Sequence, residues 1–198
     1  TSEKKDGKFC FFDELNKIVH NNKVTIKEGD VLVISSKFIS NSQGRILKIE
    51  KSKVCEKVRK IAKKFNTNEK FMEIVYRESD KIIGGVAGFA MATTNGILAP
   101  NAGIDKSNSK GTKIILYPNE PYKFAEELKR KIFLKFNLHV GIIIVDSRLM
   151  PARIGTTGVA IACAGIEPTK DLRGDKDLDG NPLKVTFQAT ADNLASIA

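Results

Sequence analysis

The sequence predicts a mixed α/β fold of the α+β class, because amphipathic helical patterns and short apolar runs of strand length both occur along the chain. The helix-then-strand order recurs from Pro121 to Val145. Of the 198 residues, 41% are hydrophobic and 28% are charged, which is typical of a folded globular protein. No repeat and no linker rich in Pro or Gly divides the chain, so residues 1–198 are predicted to form a single domain, with any two lobes closely joined.

The first predicted elements are a helix and a buried strand. The helix has apolar residues at helical spacing and ends at Asn21 and Asn22; its apolar residues are Phe11, Phe12, Leu15, Ile18 and Val19. A turn at residues 27–30 precedes the apolar run Val31 to Ile34. A short apolar run between polar turns predicts a buried strand, which here delivers Ser35, Ser36 and Lys37 at its end.

Two more helices and a hairpin are predicted next. Ser52 is a candidate N-cap of a helix that carries Val54 to Phe65, and Asn68 is a candidate N-cap of a helix with Phe71, Ile74 and Val75 on one face. The turn sequence Thr94-Asn95-Gly96 predicts a hairpin over residues 89–99. The glycines of residues 84–88 lack the spacing of known phosphate-binding loops.

The C-terminal part repeats the alternation of helix and strand. Pro121 starts a helix with one apolar face, formed by Phe124, Leu128, Ile132 and Phe136. Residues 140–145 then form a strand that ends in Asp146. A segment rich in Gly and Ala, an aspartate-rich turn, a strand from Leu183 to Phe187 and a final helix opening near Asp192 complete the predicted order.

Composition excludes several classes of protein. No apolar stretch approaches the roughly 20 residues of a membrane helix, and the charged first residues do not resemble a secretory signal, so we expect a cytoplasmic protein with no membrane partner. Three widely spaced cysteines argue against a disulfide framework and a zinc site. Two histidines leave little for a His-based metal centre.

The net charge of +10 favours an anionic partner without choosing among nucleic acid, a membrane surface and a phosphorylated small molecule. A lysine-rich solvated surface explains the same charge. RNA-binding sheets stack bases on aromatic side chains among basic residues, but this chain has no Trp and most of its Phe residues fall at core spacing. RNA binding is therefore the least favoured hypothesis.

Two loops carry aspartates suited to a hard divalent cation. Asp146 follows an apolar strand, where α/β sheets bind ligands, and Ser147 offers a hydroxyl beside it. Asp105 lies in the polar loop 101–108, which also carries Asn108. Carboxylates on separate loops can hold a cation that also binds nucleotide phosphates. Each aspartate taken alone is better explained as the cap of a turn or a helix.

Two arginines and an aspartate-rich turn remain as alternatives. Arg148 and Arg153 follow Asp146 and could each grip a phosphate or a carboxylate, although a surface salt bridge explains them equally well. The turn at residues 175–180 lacks the glutamate that a calcium loop needs, because Thr186 stands in that position. A tight turn into the next strand explains this segment better.

Several collinear segments together resemble the coenzyme F-420-0:L-glutamate ligase family. They are residues 28–37, 101–108, 143–146, Arg153 with Gly155, 158–161, 171–180 and 191–192. The resemblance covers most of residues 28–198. It implies the mixed α/β fold of the F-420-0 gamma-glutamyl ligases.

The resemblance also implies an activity and its cofactors. Members of the family join L-glutamate to a coenzyme F-420 precursor through gamma-linked amide bonds, with GTP as cosubstrate and Mg²⁺ or Mn²⁺ as the divalent cation; a monovalent cation is a further cofactor that it suggests. The reaction passes through an acyl phosphate, and the enzyme is a homodimer. This chain is accordingly expected to be a ligase with GTP, L-glutamate and the precursor as partners.

Carried over residue by residue, the resemblance makes Asp105, Asp146 and Ser147 metal ligands. Ser36, Lys37 and Asn108 match nucleotide contacts, and Arg153 is the candidate catalytic residue.

The sequence also departs from the family pattern. Asn41 occupies the position of a lysine that contacts the nucleotide, the usual Gly-Arg pair after Asp146 is replaced, and the N-terminal nucleotide loop and the family's last portion are not recognisable. A relative that binds a nucleotide or an anionic metabolite without ligating glutamate is the alternative prediction.

Overall fold

The computed structural model describes residues 8–49, 53–106, 113–149 and 154–198. The α-helices of these residues are α1 (Phe11–Asn21), α2 (Ser36–Ser42), α3 (Glu56–Lys64), α4 (Glu69–Glu78), α5 (Pro121–Phe136) and α6 (Thr190–Ile197). The strands are β1 (Val31–Ser35), β2 (Ile46–Lys48), β3 (Lys81–Val86), β4 (Phe89–Thr94), β5 (Ile97–Pro100), β6 (Lys113–Ile115), β7 (Gly141–Leu149), β8 (Thr156–Ala164), β9 (Lys170–Asp171) and β10 (Phe187–Gln188). The predicted mixed α/β class is confirmed.

The chain forms two compact units. The first comprises residues 1–14 and 36–120, and the second comprises residues 15–35 and 121–198. The chain passes between the units within α1, at the junction of β1 with α2, and immediately before α5.

The first unit is built on the antiparallel sheet β3-β4-β5. In β4, Ala90, Ala92 and Thr94 are buried while the alternate residues are partly or fully exposed, as expected of a sheet with one covered face. Helices α3 and α4 contribute Val58, Phe71 and other apolar side chains to the same core cluster. A separate antiparallel pair, β2 with β6, lies in this unit.

The second unit is built on the sheet β1-β7-β8, in which β1 runs parallel and β8 antiparallel to β7. Ile142, Ile143 and Ile144 are fully buried, because β7 is the central strand and residues on both of its faces are covered. Ala191 and Ala195 of α6 pack in one cluster with Ile143. Gly158 of β8 allows this approach, since a Cβ there would lie 2.3 Å from the carbonyl oxygen of Ala195.

Local sequence signals fixed several boundaries correctly. Helix α1 begins at Phe11 and ends at Asn21 as predicted. The Asn68 side chain caps α4 by accepting the backbone N–H groups of Lys70 and Phe71. Pro121 is the first residue of α5, and residues 89–100 form the predicted hairpin of β4 and β5.

Other predictions were wrong or incomplete. Helix α3 begins at Glu56 after Cys55, which makes no side-chain capping bond, and the predicted cap Ser52 lies outside the described residues. The glycine cluster forms part of an unpredicted strand, β3. The predicted strand from Leu183 is present only as Phe187–Gln188, the two residues that pair with β9.

Candidate functional site

Ser36 and Lys37 lie at the start of α2, immediately after β1. The structure thus confirms that the first strand delivers these residues at its end. Ser36 is buried, whereas the Lys37 side chain keeps 32% of its surface exposed. Lys37 therefore reaches solvent from a position fixed by the strand-to-helix junction.

Asp105 is held on a rigid stretch of backbone. It follows a 3₁₀ turn, Asn101–Gly103, in which all three residues adopt positive φ. The Asn101 side chain fixes this turn by accepting the backbone N–H of Ala90 at 2.9 Å. Asp105 and Ile115 then exchange two backbone hydrogen bonds, each 2.9 Å long. Since both its N–H and its carbonyl oxygen are bonded to Ile115, the Asp105 backbone is fixed, and only the short side chain can rotate.

The structure brings Lys37 and Asp105 together. The Lys37 Nζ atom forms a salt bridge with Asp105 Oδ2, and the Asp105 side chain is 29% exposed. The candidate nucleotide residue and the candidate metal ligand of the first unit are thus direct neighbours. Sequence reasoning placed both in the site but gave no signal that they pair.

Lys106, the residue after Asp105, points to a different partner. Its ammonium nitrogen lies 3.2 Å from the centroid of the Phe71 ring, a cation–π contact. Burial lowers the pKa of Lys106 below the ordinary lysine value. Lys37 and Lys106 therefore occupy different environments.

Asn41 lies in α2, one turn beyond Lys37. Its Oδ1 atom and the Oγ atom of the preceding Ser40 are buried and have no hydrogen-bond partner. Buried polar atoms in folded proteins are nearly always hydrogen-bonded. Partnerless oxygens on two successive residues, in the segment whose resemblance implies nucleotide contacts, are consistent with a ligand-binding role for this helix.

Gln43 and Arg45 anchor the end of α2 in a way that sequence reasoning missed. The Gln43 side-chain amide donates to the carbonyl oxygen of Asn119 at 3.1 Å and accepts the Asn119 backbone N–H at 2.8 Å. Arg45 donates from Nε to the Tyr117 carbonyl oxygen at 2.9 Å and from Nη2 to Glu78 at 2.6 Å. These partners are distant in the sequence, so no local sequence pattern predicts the contacts.

Asp146 and Ser147 lie in the second unit and correct one prediction. They do not follow the end of the strand, because β7 continues to Leu149 and pairs them with Val159 and Gly158 of β8. The apolar run stops at Val145, and the strand continues because β8 pairs with it as far as Leu149. The Asp146 side chain is 23% exposed and lies 4.0 Å from Nε of Arg148, so its carboxylate projects from within a paired strand.

Two candidate residues, Asn108 and Arg153, lie outside the described residues. Their assignments as a nucleotide contact and a catalytic residue therefore stay predictions. In the described ranges, no three side chains of the types His, Cys, Asp and Glu gather as a metal-binding cluster. The described helices include none long and apolar enough to cross a membrane.

The aspartate-rich turn is explained by its own hydrogen bonds. The Asp177 carboxylate accepts the backbone N–H groups of Asp179 and Asn181 at 2.9 and 2.8 Å, as aspartate does in many turns. Asp171 pairs with Arg173, which lowers the pKa of the Asp171 carboxyl. These carboxylates thus stabilise the local backbone and a surface ion pair.

Comparison with known proteins identifies close relatives. Residues 10–198 match the family described as F420-0:Gamma-glutamyl ligase. The coenzyme F420:L-glutamate ligase of Methanopyrus kandleri is 32% identical over 187 residues, which cover 94% of this chain and 74% of that protein. The enzyme of the same name from Archaeoglobus fulgidus is 34% identical over 186 residues, with the same coverage. The one from Methanocaldococcus jannaschii is 35% identical over 175 residues, covering 87% and 70% of the two chains.

Proposed function

We propose, because this chain belongs to the F420-0:gamma-glutamyl ligase family, that it is a ligase of coenzyme F420 biosynthesis that joins L-glutamate to an F420 precursor. The match over residues 10–198 carries this proposal. The relatives named as coenzyme F420:L-glutamate ligases align with most of the chain.

The proposed cosubstrate is GTP, and the proposed route passes through an acyl phosphate. The substrate carboxylate takes the terminal phosphoryl group and GDP leaves; the amine of glutamate then attacks the acyl carbon and phosphate leaves. The amine loses a proton as the amide bond forms. Transfer of a phosphoryl group depends mainly on positioning and on charge neutralisation, and the ammonium of Lys37 supplies positive charge for a phosphate at the start of α2.

The proposed ligands of a divalent cation are Asp105, Asp146 and Ser147. Carboxylate and hydroxyl oxygens are donors that Mg²⁺ and Mn²⁺ accept, and Mg²⁺ is commonly bound by one or two carboxylates together with water and phosphate. Partial exposure of Asp105 and Asp146 leaves their oxygens accessible to a cation. A bound cation would neutralise charge on the triphosphate.

Ser40 and Asn41 support a nucleotide or ion contact in α2. Their buried oxygens without hydrogen-bond partners suit a donor group of the nucleotide or the proposed monovalent cation, which binds oxygen ligands. Ser36, Asn108 and Arg153 complete the proposed set of nucleotide and catalytic residues.

The decisive experiment is incubation of the protein with the precursor, L-glutamate, GTP and Mg²⁺, followed by mass spectrometry. The expected result is a product heavier by one glutamyl residue, with release of GDP and phosphate. Matched reactions without nucleotide or with ATP in place of GTP test the cosubstrate. Absence of product and of phosphate release under all of these conditions would contradict the ligase proposal.

A second candidate function is nucleotide or anionic metabolite binding without ligation. Asn41 favours it, because an uncharged side chain here replaces a lysine of the family pattern and removes a phosphate-pairing charge. Asn41→Lys separates the two candidates. If the native protein binds GTP without making product and Asn41→Lys restores product, the second candidate holds for the native chain.

The proposed homodimer draws support from one face of the sheet β3-β4-β5. On that face Val86 pairs with Phe89 and Leu98 pairs with Thr93, and Val86, Phe89 and Leu98 are exposed. Exposed apolar side chains on one face of a sheet are a common feature of protein interfaces. Phe89→Lys should therefore produce monomers in light-scattering measurements, whereas Leu134→Lys, on the exposed side of α5, should not. Dissociation by Leu134→Lys alone would place the interface on α5.

A further inference from the structure

We propose that Lys37 is a built-in counter-ion of Asp105 that a divalent cation displaces, and that the displaced ammonium then binds the phosphate of the nucleotide. The proposal rests on the proposed function, because it takes Asp105 as a ligand of the divalent cation. Lys37 thus has two successive partners, the Asp105 carboxylate and a phosphate. Binding of the divalent cation and binding of the nucleotide therefore depend on each other.

Asp105 and Lys37 differ in mobility. The backbone of Asp105 is fixed by reciprocal hydrogen bonds with Ile115 and follows a turn fixed by Asn101. Lys37 carries its ammonium on a flexible four-carbon stem and keeps about a third of its surface exposed. When another cation approaches Asp105, Lys37 is therefore the partner that moves.

The Lys37 ammonium and a divalent cation cannot both contact Oδ2 of Asp105. The Lys37 ammonium contacts Oδ2 of Asp105, the kind of oxygen that Mg²⁺ binds at roughly 2.0–2.1 Å. A dication at that distance and an ammonium in contact with the same oxygen would repel each other strongly, because both are positive. A divalent cation that binds Oδ2 of Asp105 thus requires Lys37 to leave.

Displacing Lys37 from Asp105 costs little free energy. Partly exposed ion pairs contribute only modestly to stability, because solvent screens them and two side chains must be ordered. The exposed fractions of 32% and 29% place this pair in that class. The ion pair therefore weakens cation binding by a small factor and does not block it.

Once displaced, the Lys37 ammonium is suited to a phosphate group. Lysine binds phosphate as a compact point charge, and Lys37 belongs to the segment that resembles the nucleotide contacts of the family. Lys106 is less suited to this role, since its ammonium lies over the Phe71 ring. A cation that releases Lys37 therefore raises the affinity for the triphosphate, and by linkage the triphosphate raises the affinity for the cation equally.

The test measures Mn²⁺ binding to the full chain by electron paramagnetic resonance, with no nucleotide present. Lys37→Met should tighten Mn²⁺ binding by about two- to five-fold, the factor expected for loss of a partly exposed ion pair. Lys48→Met is the matched control, because it removes the same charge from an exposed position of β2 in the same unit. Lys48→Met should leave the affinity unchanged. Lys37→Gln repeats the test if the methionine variant folds poorly, as judged by circular dichroism.

Asp105→Asn distinguishes failure of this inference from failure of the metal site. If the native protein binds Mn²⁺ in a manner that Asp105→Asn abolishes, but Lys37→Met binds it no more tightly, the displacement inference is wrong and the metal site stands. If Asp105→Asn leaves Mn²⁺ binding intact, the assignment of Asp105 fails and the inference fails with it. The ligase assay reports independently on the activity.

Coupling between the cation and the nucleotide provides a second readout. In the native protein, Mn²⁺ should increase the affinity for GTP more than it does in Lys37→Met. Chelation of Mn²⁺ by GTP in solution is the same for all variants, so the difference between variants reports the contribution of Lys37. Equal coupling in the two proteins would overturn the transfer of Lys37 to phosphate.

Discussion

Arg45 and Glu78 form a hydrogen-bonded ion pair of 2.6 Å that joins the segment after α2 to the last residue of α4. The same guanidinium donates from Nε to the Tyr117 carbonyl oxygen. One side chain therefore connects three parts of the first unit, and the planar fork of arginine is what allows two partners at once.

Arg45→Lys should lower the free energy of unfolding by about 1–3 kcal/mol, because lysine keeps the charge but cannot serve both acceptors and leaves one partly buried acceptor unpaired. Thermal or urea unfolding measures the change. Arg59→Lys is the matched control, since the Arg59–Glu69 pair is 3.6 Å long and more than half exposed. A comparable loss in both variants would show that the geometry of the Arg45 contact contributes nothing special.

Asn68→Ala should lower the free energy of unfolding by about 0.5–2 kcal/mol, because the N-cap side chain satisfies two backbone N–H groups of α4. Cys55→Ala serves as the comparison at the N-cap of α3, where the side chain makes no capping bond. We expect its unfolding midpoint to stay close to that of the native protein. Equal effects at the two caps would mean that the Asn68 bonds contribute no net stability.

Gly103→Ala should destabilise the first unit by about 1–3 kcal/mol more than Gly96→Ala. Both glycines have a positive φ that strains an alanine, but only at Gly103 would the new Cβ overlap a neighbour, lying 2.0 Å from a carbon of the Tyr117 ring. No atom lies within 4 Å of the corresponding position at Gly96. Chemical unfolding of both variants and of the native chain measures how much the overlap with Tyr117 adds to the loss of stability. Similar losses in the two variants would show that the overlap contributes nothing.

Asp146→Asn should weaken Mn²⁺ binding about ten-fold or more, because an amide is a far poorer ligand for a hard cation than a carboxylate. Titration followed by paramagnetic resonance gives the affinity and the stoichiometry. Asp171→Asn is a suitable control, since Asp171 is an exposed carboxylate paired with Arg173. Unchanged Mn²⁺ affinity in Asp146→Asn would remove this residue from the proposed ligand set.

Cys163 should react with iodoacetamide more slowly than the exposed Cys10 and Cys55. Burial raises the pKa of the Cys163 thiol, and the nearby Glu167 and Glu126 raise it further; only the thiolate reacts. Because the folded-state pKa of this thiol is raised, its protonated form stabilises the fold at pH values below the ordinary thiol pKa. This contribution is lost as the pH rises through the folded-state pKa. Peptide mass mapping at several pH values measures the rates, and we expect the Cys163 rate to climb at the highest pH. Equal rates for all three thiols near neutral pH would contradict this environment.

Several features could be predicted from the sequence because their causes are local. Asn68 caps α4 through groups two and three residues away, and Pro121 starts α5 because a proline has no N–H to leave unsatisfied. The run of isoleucines at positions 142–144 predicted a buried strand. The residues of β3 were not predicted, because Gly84 and Gly85 weaken a strand pattern and only pairing with β4 makes them extended.

The candidate site also combines features that the sequence predicts with features that depend on the tertiary structure. The sequence by itself determined which residues carry the chemistry: the lysine after the first strand, the aspartate of the loop at 101–108 and the aspartate after the second apolar run. It also determined the family, since matches in order over most of a chain do not depend on geometry.

Only the tertiary structure decided what those residues contact. Lys37 meets Asp105 because β6 holds Asp105 through Ile115, a relationship between segments distant in the sequence. Asp146 lies within a strand because β8 pairs with it, although the apolar pattern ends one residue earlier. Hydrophobic periodicity records which residues are buried, whereas hydrogen bonds between distant segments fix where a strand ends and which charges become neighbours; those bonds form only when the chain is folded.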